Sequence, residues 1–233
     1  MGKEKSNRIQ TSLLNSAEKK LLVKLAGIQP SWVTSDFLTY IGVGAAILYA
    51  VSCWLAVFNV NFLWLASFFL VLNWYGDSLD GTLARVRNTQ RPKYGFFIDH
   101  SLDALTTCLF CMGLGLGPVM RLDISLLIMG GYLCMSIYTY LSTIIMDKFR
   151  LTYASLGPTE ARLIIIAVFI LYIFNPWPDV SVEIPIFHAA WTVYDFVGAA
   201  VAVILFSLYI SSMAKDLRYL AKIDPLPPYH KDK

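Results

Sequence analysis

Charged side chains are scarce in this 233-residue chain: they make up 15% of it, whereas hydrophobic residues make up 57%. The mean hydropathy is clearly positive, at +0.57. The apolar residues also occur in long blocks, without the amphipathic alternation of a water-soluble core. This composition argues against a soluble domain and predicts an integral membrane protein built as a single bundle.

Cysteine is also sparse, and its placement argues against a disulfide framework or a zinc site. All four cysteines fall inside long apolar blocks, where buried free thiols are expected. Cys108 and Cys111 lack the second pair of ligands that a zinc site would need. The first residues are charged and contain no compact apolar stretch, so no cleavable signal peptide is predicted.

Six apolar blocks are long enough, or nearly so, to cross about 30 Å of hydrocarbon, which takes about 20 helical residues. The predicted spans lie near residues 37–58, 62–84, 96–118, 122–146, 161–177 and 189–213. We therefore expect an all-α bundle of six transmembrane helices, residues 37–214. Residues 1–36 would form a cytoplasmic tail with an interfacial helix, and residues 215–233 a cytoplasmic carboxyl-terminal tail.

Basic residues predict the orientation of these spans. All but Arg121 of the 19 lysines and arginines fall in the two tails and in the connections on one side. Short cytoplasmic connections are enriched in Lys and Arg, so both termini are predicted to be cytoplasmic. In a bacterium this would be the inner membrane.

The segment before the first span has the pattern of an amphipathic helix. Leu13, Leu14, Ala17, Leu21 and Leu25 recur at roughly helical spacing, with lysines on the other face. Such a helix can lie in the membrane interface with its lysines toward anionic headgroups. The alternative is a helix packed against the bundle.

Four aspartates stand out in the stretch YGDSLDGTLARVRNTQRPKYGFFIDHSLDAL, residues 75–105, at the cytoplasmic end of the second and third spans. The first two aspartates share one face of a helix that advances about 100° per residue. The last two are one helical turn apart and also point the same way. Two pairs of carboxylates can therefore converge. They belong to Asp77, Asp80, Asp99 and Asp103.

Clustered carboxylates near a membrane need a counter-charge, because an unpaired buried ionised group costs several kcal/mol. The structural alternatives are that the carboxylates are solvated at the helix end or that each pairs with Arg85, Arg87 or Arg91 in the following loop. We favour divalent ions as the counter-charge, because they relieve both the cost of burial and the mutual repulsion of four crowded carboxylates. Ligation by oxygen alone suggests Mg²⁺ or Mn²⁺, with Ca²⁺ as a competitor.

Small residues on the acidic face suggest a bulky ligand beside these ions. Gly81 and Ala84 share the face of the first aspartate pair and leave room for a group against the backbone. A diphosphate is a natural candidate, because divalent ions bridge phosphate oxygens. Arg85 stands next to this face, where it could bind phosphate.

The whole stretch resembles the signature of the CDP-alcohol phosphotransferase family, D-x-x-D-G-x-x-A-R, a short spacer, and G-x-x-x-D-x-x-x-D. Here DSLDGTLAR is followed after nine residues by GFFIDHSLD. The resemblance implies six spans, an amino-terminal interfacial helix and a homodimer. It also implies a reaction of phospholipid biosynthesis, in which a phosphoalcohol moves from a CDP-linked donor to an acceptor hydroxyl and CMP is released. The matching residues are Asp77, Asp80, Gly81, Ala84, Arg85, Gly95, Asp99 and Asp103.

The resemblance also implies a role for each fixed residue. Carboxylates would hold two divalent ions, Mg²⁺ or Mn²⁺, and Asp103 would either help at one ion or remove the acceptor proton. Gly81 and Ala84 would let the cytidine diphosphate approach closely, and Arg85 would contact its phosphates. The implied metal ligands are Asp77, Asp80, Asp99 and Asp103, and the implied nucleotide-binding residues are Asp80, Gly81, Ala84, Arg85 and Gly95.

Two flanking stretches allow both a structural and a functional interpretation. Asp36 stands where many family members have asparagine, although Thr34, Ser35 or Asp36 could simply cap the first span. In LGPTEARL, Glu160 falls in the first turn of the fifth span and favours the helix dipole. Arg150 and Arg162 are candidates for binding a phosphate or carboxylate on the acceptor.

These arginines favour CDP-diacylglycerol as donor, with an anionic alcohol as acceptor. An enzyme that transfers from CDP-choline or CDP-ethanolamine to a lipid alcohol is the nearest alternative. An ion-coupled transporter also uses intramembrane carboxylates, and a UbiA-type prenyltransferase uses acidic motifs, but with more spans and a different spacing. The expected partners are both substrates, the lipid bilayer and a second copy of the chain, with no nucleic acid.

Overall fold

The computed structural model describes residues 15–146, 157–174, 182–184 and 189–226. Helices dominate these residues, as the composition predicts, and two short antiparallel strands that were not predicted precede the last helix. The helices are α1 (Asn15–Gly27), α2 (Ser35–Leu55), α3 (Phe62–Val86), α4 (Pro92–Leu116), α5 (Leu122–Met146), α6 (Pro158–Phe174) and α7 (Val193–Ile223), and the strands are β1 (Val182–Ile184) and β2 (Ala189–Trp191).

Three of the described helices, α2, α5 and α7, are long and apolar enough to cross a membrane by length and composition. Helices α3 and α4 have 25 residues each and carry the four clustered aspartates, and α6 has 17 residues. Bulky apolar side chains such as Phe58, Ile144 and Phe174 are 74–76% exposed. An apolar outer surface of this kind is suited to lipid. The number of spans, six, stays a prediction.

The predicted sixth span, near residues 189–213, begins too early, and the helix that contains it is longer than the span. Residues 189–191 form β2, and α7 begins at Val193 because Thr192 and Asp195 form a capping box. The helix then continues to Ile223, with the Tyr138 hydroxyl donating a hydrogen bond to Asp216 in its charged final part. The predicted carboxyl-terminal tail therefore begins inside a helix. Residues 1–14, 175–177 and 227–233, which also carry predictions, lie outside the described residues.

Helix α1 packs against the bundle along one face. Leu22 and Ala26 are buried together with Leu79 and Leu83 of α3, whereas the lysines of α1 are exposed. The Glu18 carboxylate also accepts hydrogen bonds from α3 and α6. The structure thus agrees with the packed alternative for the apolar face, and the contact of the lysines with lipid headgroups stays a prediction.

Other local expectations are confirmed. Of the three candidate caps for α2, Thr34 is the one that acts, accepting a hydrogen bond from the Phe37 amide at 3.1 Å. All four cysteines are free thiols, as expected; Cys53 and Cys111 are buried, whereas Cys108 and Cys134 are only half-buried.

Helices α2 and α3 approach so closely that their backbones touch. A Cβ atom added at Gly76 would lie 2.6 Å from the backbone nitrogen of Gly42 and 2.6 Å from the carbonyl oxygen of Leu38. Next to this contact, the buried Asn73 amide donates a hydrogen bond to the Gly42 carbonyl at 2.9 Å. This contact brings the start of α2 against the acidic end of α3.

We expect Gly76→Ala to lower the stability of the protein by about 1–3 kcal/mol, the usual cost of overpacking, because the added methyl group meets backbone atoms. Gly44→Ala is the matched control, since a Cβ at Gly44 meets nothing within 4 Å and alanine favours a helix by about 0.5–1 kcal/mol. Thermal unfolding in detergent measures both changes. Equal melting temperatures for the two variants would contradict the proposed close contact.

Candidate active site

Asp80 is fixed near the carboxyl-terminal end of α3 by contacts with α2. Its side chain is buried, at 6% exposure, and accepts hydrogen bonds from the Thr39 hydroxyl at 2.6 Å and from the Gly81 amide. The Ser35 hydroxyl donates to the Asp80 carbonyl at 3.0 Å. The close packing of α2 on α3 therefore sets the position of this carboxylate.

Asp77, one turn earlier on α3, faces the carboxylates of α4. Asp99 and Asp103 lie at exposed positions on α4. Asp80 interacts electrostatically with Asp77 and Asp99, and Asp103 interacts with all three other aspartates. The structure thus brings together the two carboxylate pairs whose convergence the helical spacing predicts.

Arg162 enters this cluster from α6. Its Nη2 atom lies 2.6 Å from Asp77 Oδ2, and its Nε–H donates to Asn73 Oδ1 at 2.8 Å. The residue is buried, at 6% exposure, and its Nη1 atom has no hydrogen-bond partner among the described residues. The sequence indicates that Arg162 is on the cytoplasmic side, but not that it pairs with a signature aspartate. The other predicted acceptor-binding residue, Arg150, lies outside the described residues.

The start of α6 is anchored locally and to α1. Glu160 Oε2 accepts a hydrogen bond from the Gly157 amide at 2.9 Å, which supports the structural interpretation of this residue. The Thr159 hydroxyl donates to Glu18 Oε1 at 2.8 Å, and the Trp74 indole donates to the same oxygen at 2.7 Å. Glu18 therefore joins α1, α3 and α6 beside the acidic cluster.

The predicted nucleotide-binding residues border open space. A Cβ atom at Gly81 would meet only the Arg85 guanidinium, at 3.5 and 3.9 Å, and one at Gly95 would meet nothing within 4 Å. Arg85 is exposed and donates to the Thr82 hydroxyl at 2.9 Å. Ala84 is half-buried on the same helix. Contacts within the described residues thus give no reason for glycine at positions 81 and 95, and there is room beside the carboxylates.

Two of the three loop arginines that could have paired with the clustered aspartates contact other groups. Arg87 donates to the carbonyl oxygens of Gln29 and Pro30, at 2.9 and 2.8 Å, and fixes the connection between α1 and α2. Arg91 pairs with Asp36 and stacks on Tyr94. Asp36 therefore has a structural partner in Arg91.

Sequence reasoning did not assign two other residues near the cluster. Asn73 is buried, at 1% exposure, and accepts a hydrogen bond from Arg162. The sequence feature that could have identified it is a lone amide inside an apolar run. His100 follows Asp99 directly, and its ring centroid lies 4.8 Å from that of Tyr140 on α5. His100 Nδ1 is also 2.9 Å from the Phe96 carbonyl oxygen. The sequence feature that could have identified His100 is its position directly after a signature aspartate.

The side chains fit a divalent ion in their chemistry, although they do not form a ready ligand shell. Within the described ranges, no group of three or more His, Cys, Asp or Glu side chains is arranged to hold a metal ion. Asp77 Oδ2 accepts a hydrogen bond from Arg162 and Asp80 Oδ2 accepts one from Thr39, so both carboxylates have protein partners in this structure. Carboxylate oxygens are nevertheless the ligands that Mg²⁺ and Mn²⁺ prefer. The buried Arg162 guanidinium pairs with Asp77 and interacts electrostatically with Asp103.

Apolar helices that carry a carboxylate cluster at one end define a membrane protein with a polar site at the membrane surface. The family model for CDP-alcohol phosphatidyltransferases matches residues 32–206, which include all eight fixed residues of the signature. The chain belongs to the CDP-alcohol phosphatidyltransferase family. A comparison with curated proteins finds no match.

Family membership decides the class of activity. The chain is a membrane transferase of substituted phosphate groups that acts in phospholipid synthesis by transfer from a CDP-alcohol. The alternatives of an ion-coupled transporter and a UbiA-type prenyltransferase are therefore not retained.

Proposed function

We propose that the protein transfers a phosphoalcohol from a CDP-linked lipid donor, CDP-diacylglycerol, to the hydroxyl group of a polar acceptor and releases CMP. The observation that carries this proposal is the convergence of four signature carboxylates beside the open space at Gly81 and Gly95. This arrangement suits a diphosphate, because ions held by the carboxylates would balance its negative charge. The space at the two glycines would let it lie close to the protein backbone.

Metal binding in this proposal falls to the aspartates of α3 and α4. Asp77, Asp80 and Asp99 would hold two Mg²⁺ or Mn²⁺ ions, with Asp103 close to one of them. When bound, such ions would neutralise the negative charge that develops on the phosphate oxygens during transfer.

The other residues bind and orient the substrates. Gly81, Ala84 and Gly95 leave room for the nucleotide, and Arg85 contacts its phosphates. Asp103 takes the proton of the acceptor hydroxyl on a carboxylate oxygen. The acceptor oxygen attacks the phosphorus distal to cytidine, and the bond from that phosphorus to the CMP oxygen breaks. CMP leaves with this oxygen and its electron pair, so the reaction depends mainly on positioning and charge balance.

The acceptor in this proposal carries an anionic group. Arg162 supports it, because this buried guanidinium retains one nitrogen, Nη1, without a partner among the described residues. Arg150 would add a second positive charge. We propose in addition six spans, cytoplasmic termini and a homodimer, which the positions of the basic residues and the family resemblance support.

The test is an assay of CMP release by the purified protein in detergent. CDP-diacylglycerol is combined with serine, glycerol phosphate or inositol phosphate, and CDP-choline and CDP-ethanolamine are combined with diacylglycerol. We expect CMP only with CDP-diacylglycerol, and mass spectrometry identifies the lipid formed. CMP release that depends on diacylglycerol and CDP-choline would instead establish the alternative donor class.

A further inference from the structure

We propose that Arg162 is a built-in counter-cation that competes with the divalent ion for Asp77. This inference rests on the metal site of the proposed function and adds a residue that sets the affinity of that site. It predicts that the native chain binds its ion less tightly than the four carboxylates alone would allow.

The contact that carries the inference is a short ion pair inside the acidic cluster. Arg162 Nη2 lies 2.6 Å from Asp77 Oδ2, with side-chain exposures of 8% and 37%. A carboxylate oxygen that accepts a charged hydrogen bond is less available as a metal ligand. An ion that binds Asp77 must therefore displace this contact or share the carboxylate with a like charge.

Arg162 is also held by Asn73, so it does not simply leave when the ion arrives. Asn73 Oδ1 accepts from its Nε–H at 2.8 Å, and the amide of Asn73 is fixed in turn by its bond to the Gly42 carbonyl at 2.9 Å. Both Asn73 and Arg162 are at least nine-tenths buried. The guanidinium therefore stays close to the ion site even after Asp77 has turned away.

Two consequences follow from this geometry. Without an ion, the guanidinium offsets part of the repulsion among four neighbouring carboxylates and stabilises the fold. With an ion, the same fixed positive charge repels it and lowers its affinity. Arg162 thus stabilises the ion-free protein at the expense of ion binding.

The experiment compares Arg162→Gln, which removes the charge, with Arg162→Lys, which keeps it. Binding of Mn²⁺ alone to the full-length protein in detergent is followed by the electron paramagnetic resonance signal of free Mn²⁺. We expect Arg162→Gln to bind Mn²⁺ about tenfold more tightly than the native chain, within the usual range of coupling between sites. Arg162→Lys is expected to stay within about threefold of the native affinity.

Thermal unfolding gives an independent measurement. Arg162→Gln is expected to melt below the native chain without ions, and saturating Mn²⁺ is expected to reduce this difference. In an Asp77→Asn background, Arg162→Gln is expected to raise the Mn²⁺ affinity by a smaller factor than in the native chain, because the competing contact is already lost and only the repulsion by the fixed charge is relieved. This double-mutant cycle also provides a test if the single variant folds poorly in the absence of ions.

The inference is overturned if Arg162→Gln binds Mn²⁺ with the native affinity or more weakly. If CMP release by the native chain is observed at the same time, the proposed function stands and only the competition fails. If Arg162→Gln binds Mn²⁺ more tightly while no CDP-linked donor yields CMP, the competition stands and the proposed function fails.

Discussion

Asp103→Asn is expected to lower kcat for CMP release by about 10²–10⁴-fold, the usual contribution of a positioned general base. The asparagine amide has nearly the same shape as the carboxylate but does not take up the acceptor proton. Asp103 lies at an exposed position on α4, so an acceptor can reach it. Asp77, Asp80 and Asp99 stay in place, and KM for the donor is expected to change little.

Asp123→Asn is the matched control, because it also neutralises one aspartate in the first half of a 25-residue helix. Asp123 lies in the first turn of α5, at the opposite end of the bundle, where it is bonded to Arg121 at 2.7 Å. We expect its kcat to stay within about twofold of the native value, as for substitutions away from the site. Full activity of Asp103→Asn would remove this residue from the role of base.

A parallel measurement separates the two roles that the family resemblance leaves open for Asp103. If the residue acts mainly on the proton, Asp103→Asn binds Mn²⁺ with an affinity close to that of the native chain. If it also ligates an ion, the affinity falls together with kcat, since the loss of a ligand weakens the site directly.

The acidic cluster was predictable from the sequence because its geometry is local. Asp77 and Asp80 lie within one turn of α3, and Asp99 and Asp103 within one turn of α4, so helical periodicity alone puts each pair on one face. A short connection between the two helices then brings the pairs together. The Thr34 cap was predictable for the same reason, since capping involves residues three positions apart.

The contacts of Arg162 were not predictable in this way. It bonds to residues 85 and 89 positions away, on a helix that does not neighbour α6 in the sequence. Which residue faces it depends on how α6 packs on α3, and no local pattern encodes that. The one signal was Asn73, since a lone amide inside an apolar run has to find a partner.

The ends of α7 were missed for a different physical reason. Hydropathy reports which residues partition into hydrocarbon, whereas a helix ends where its backbone hydrogen bonds end. At the amino-terminal end, the apolar residues Ala189, Ala190 and Trp191 pair as a strand, and Thr192 starts the helix. At the other end, charged residues continue the helix beyond the apolar block to Ile223.

Removal of divalent ions is expected to abolish CMP release, lowering it by at least about 10³-fold, because catalysis of phosphoryl transfer relies on charge neutralisation and positioning. The native protein is treated with a chelator, transferred into ion-free buffer and assayed with CDP-diacylglycerol and an acceptor. Restoration by Mg²⁺ or Mn²⁺ is expected. Activity that persists after complete removal of the ions would rule out the metal mechanism.

The fold is expected to survive this treatment, which distinguishes loss of the cofactor from unfolding. Asp77 keeps its bond to Arg162 without an ion, and Asp80 keeps its bond to the Thr39 hydroxyl. The melting temperature in chelator should therefore fall by only a few degrees in the native chain and further in Arg162→Gln. Asp80→Asn provides the complementary case: it keeps the side-chain volume but loses a charged ligand, so added Mn²⁺ should fail to restore its activity. A protein that unfolds on chelation would show instead that the carboxylate cluster depends on ions for its structure.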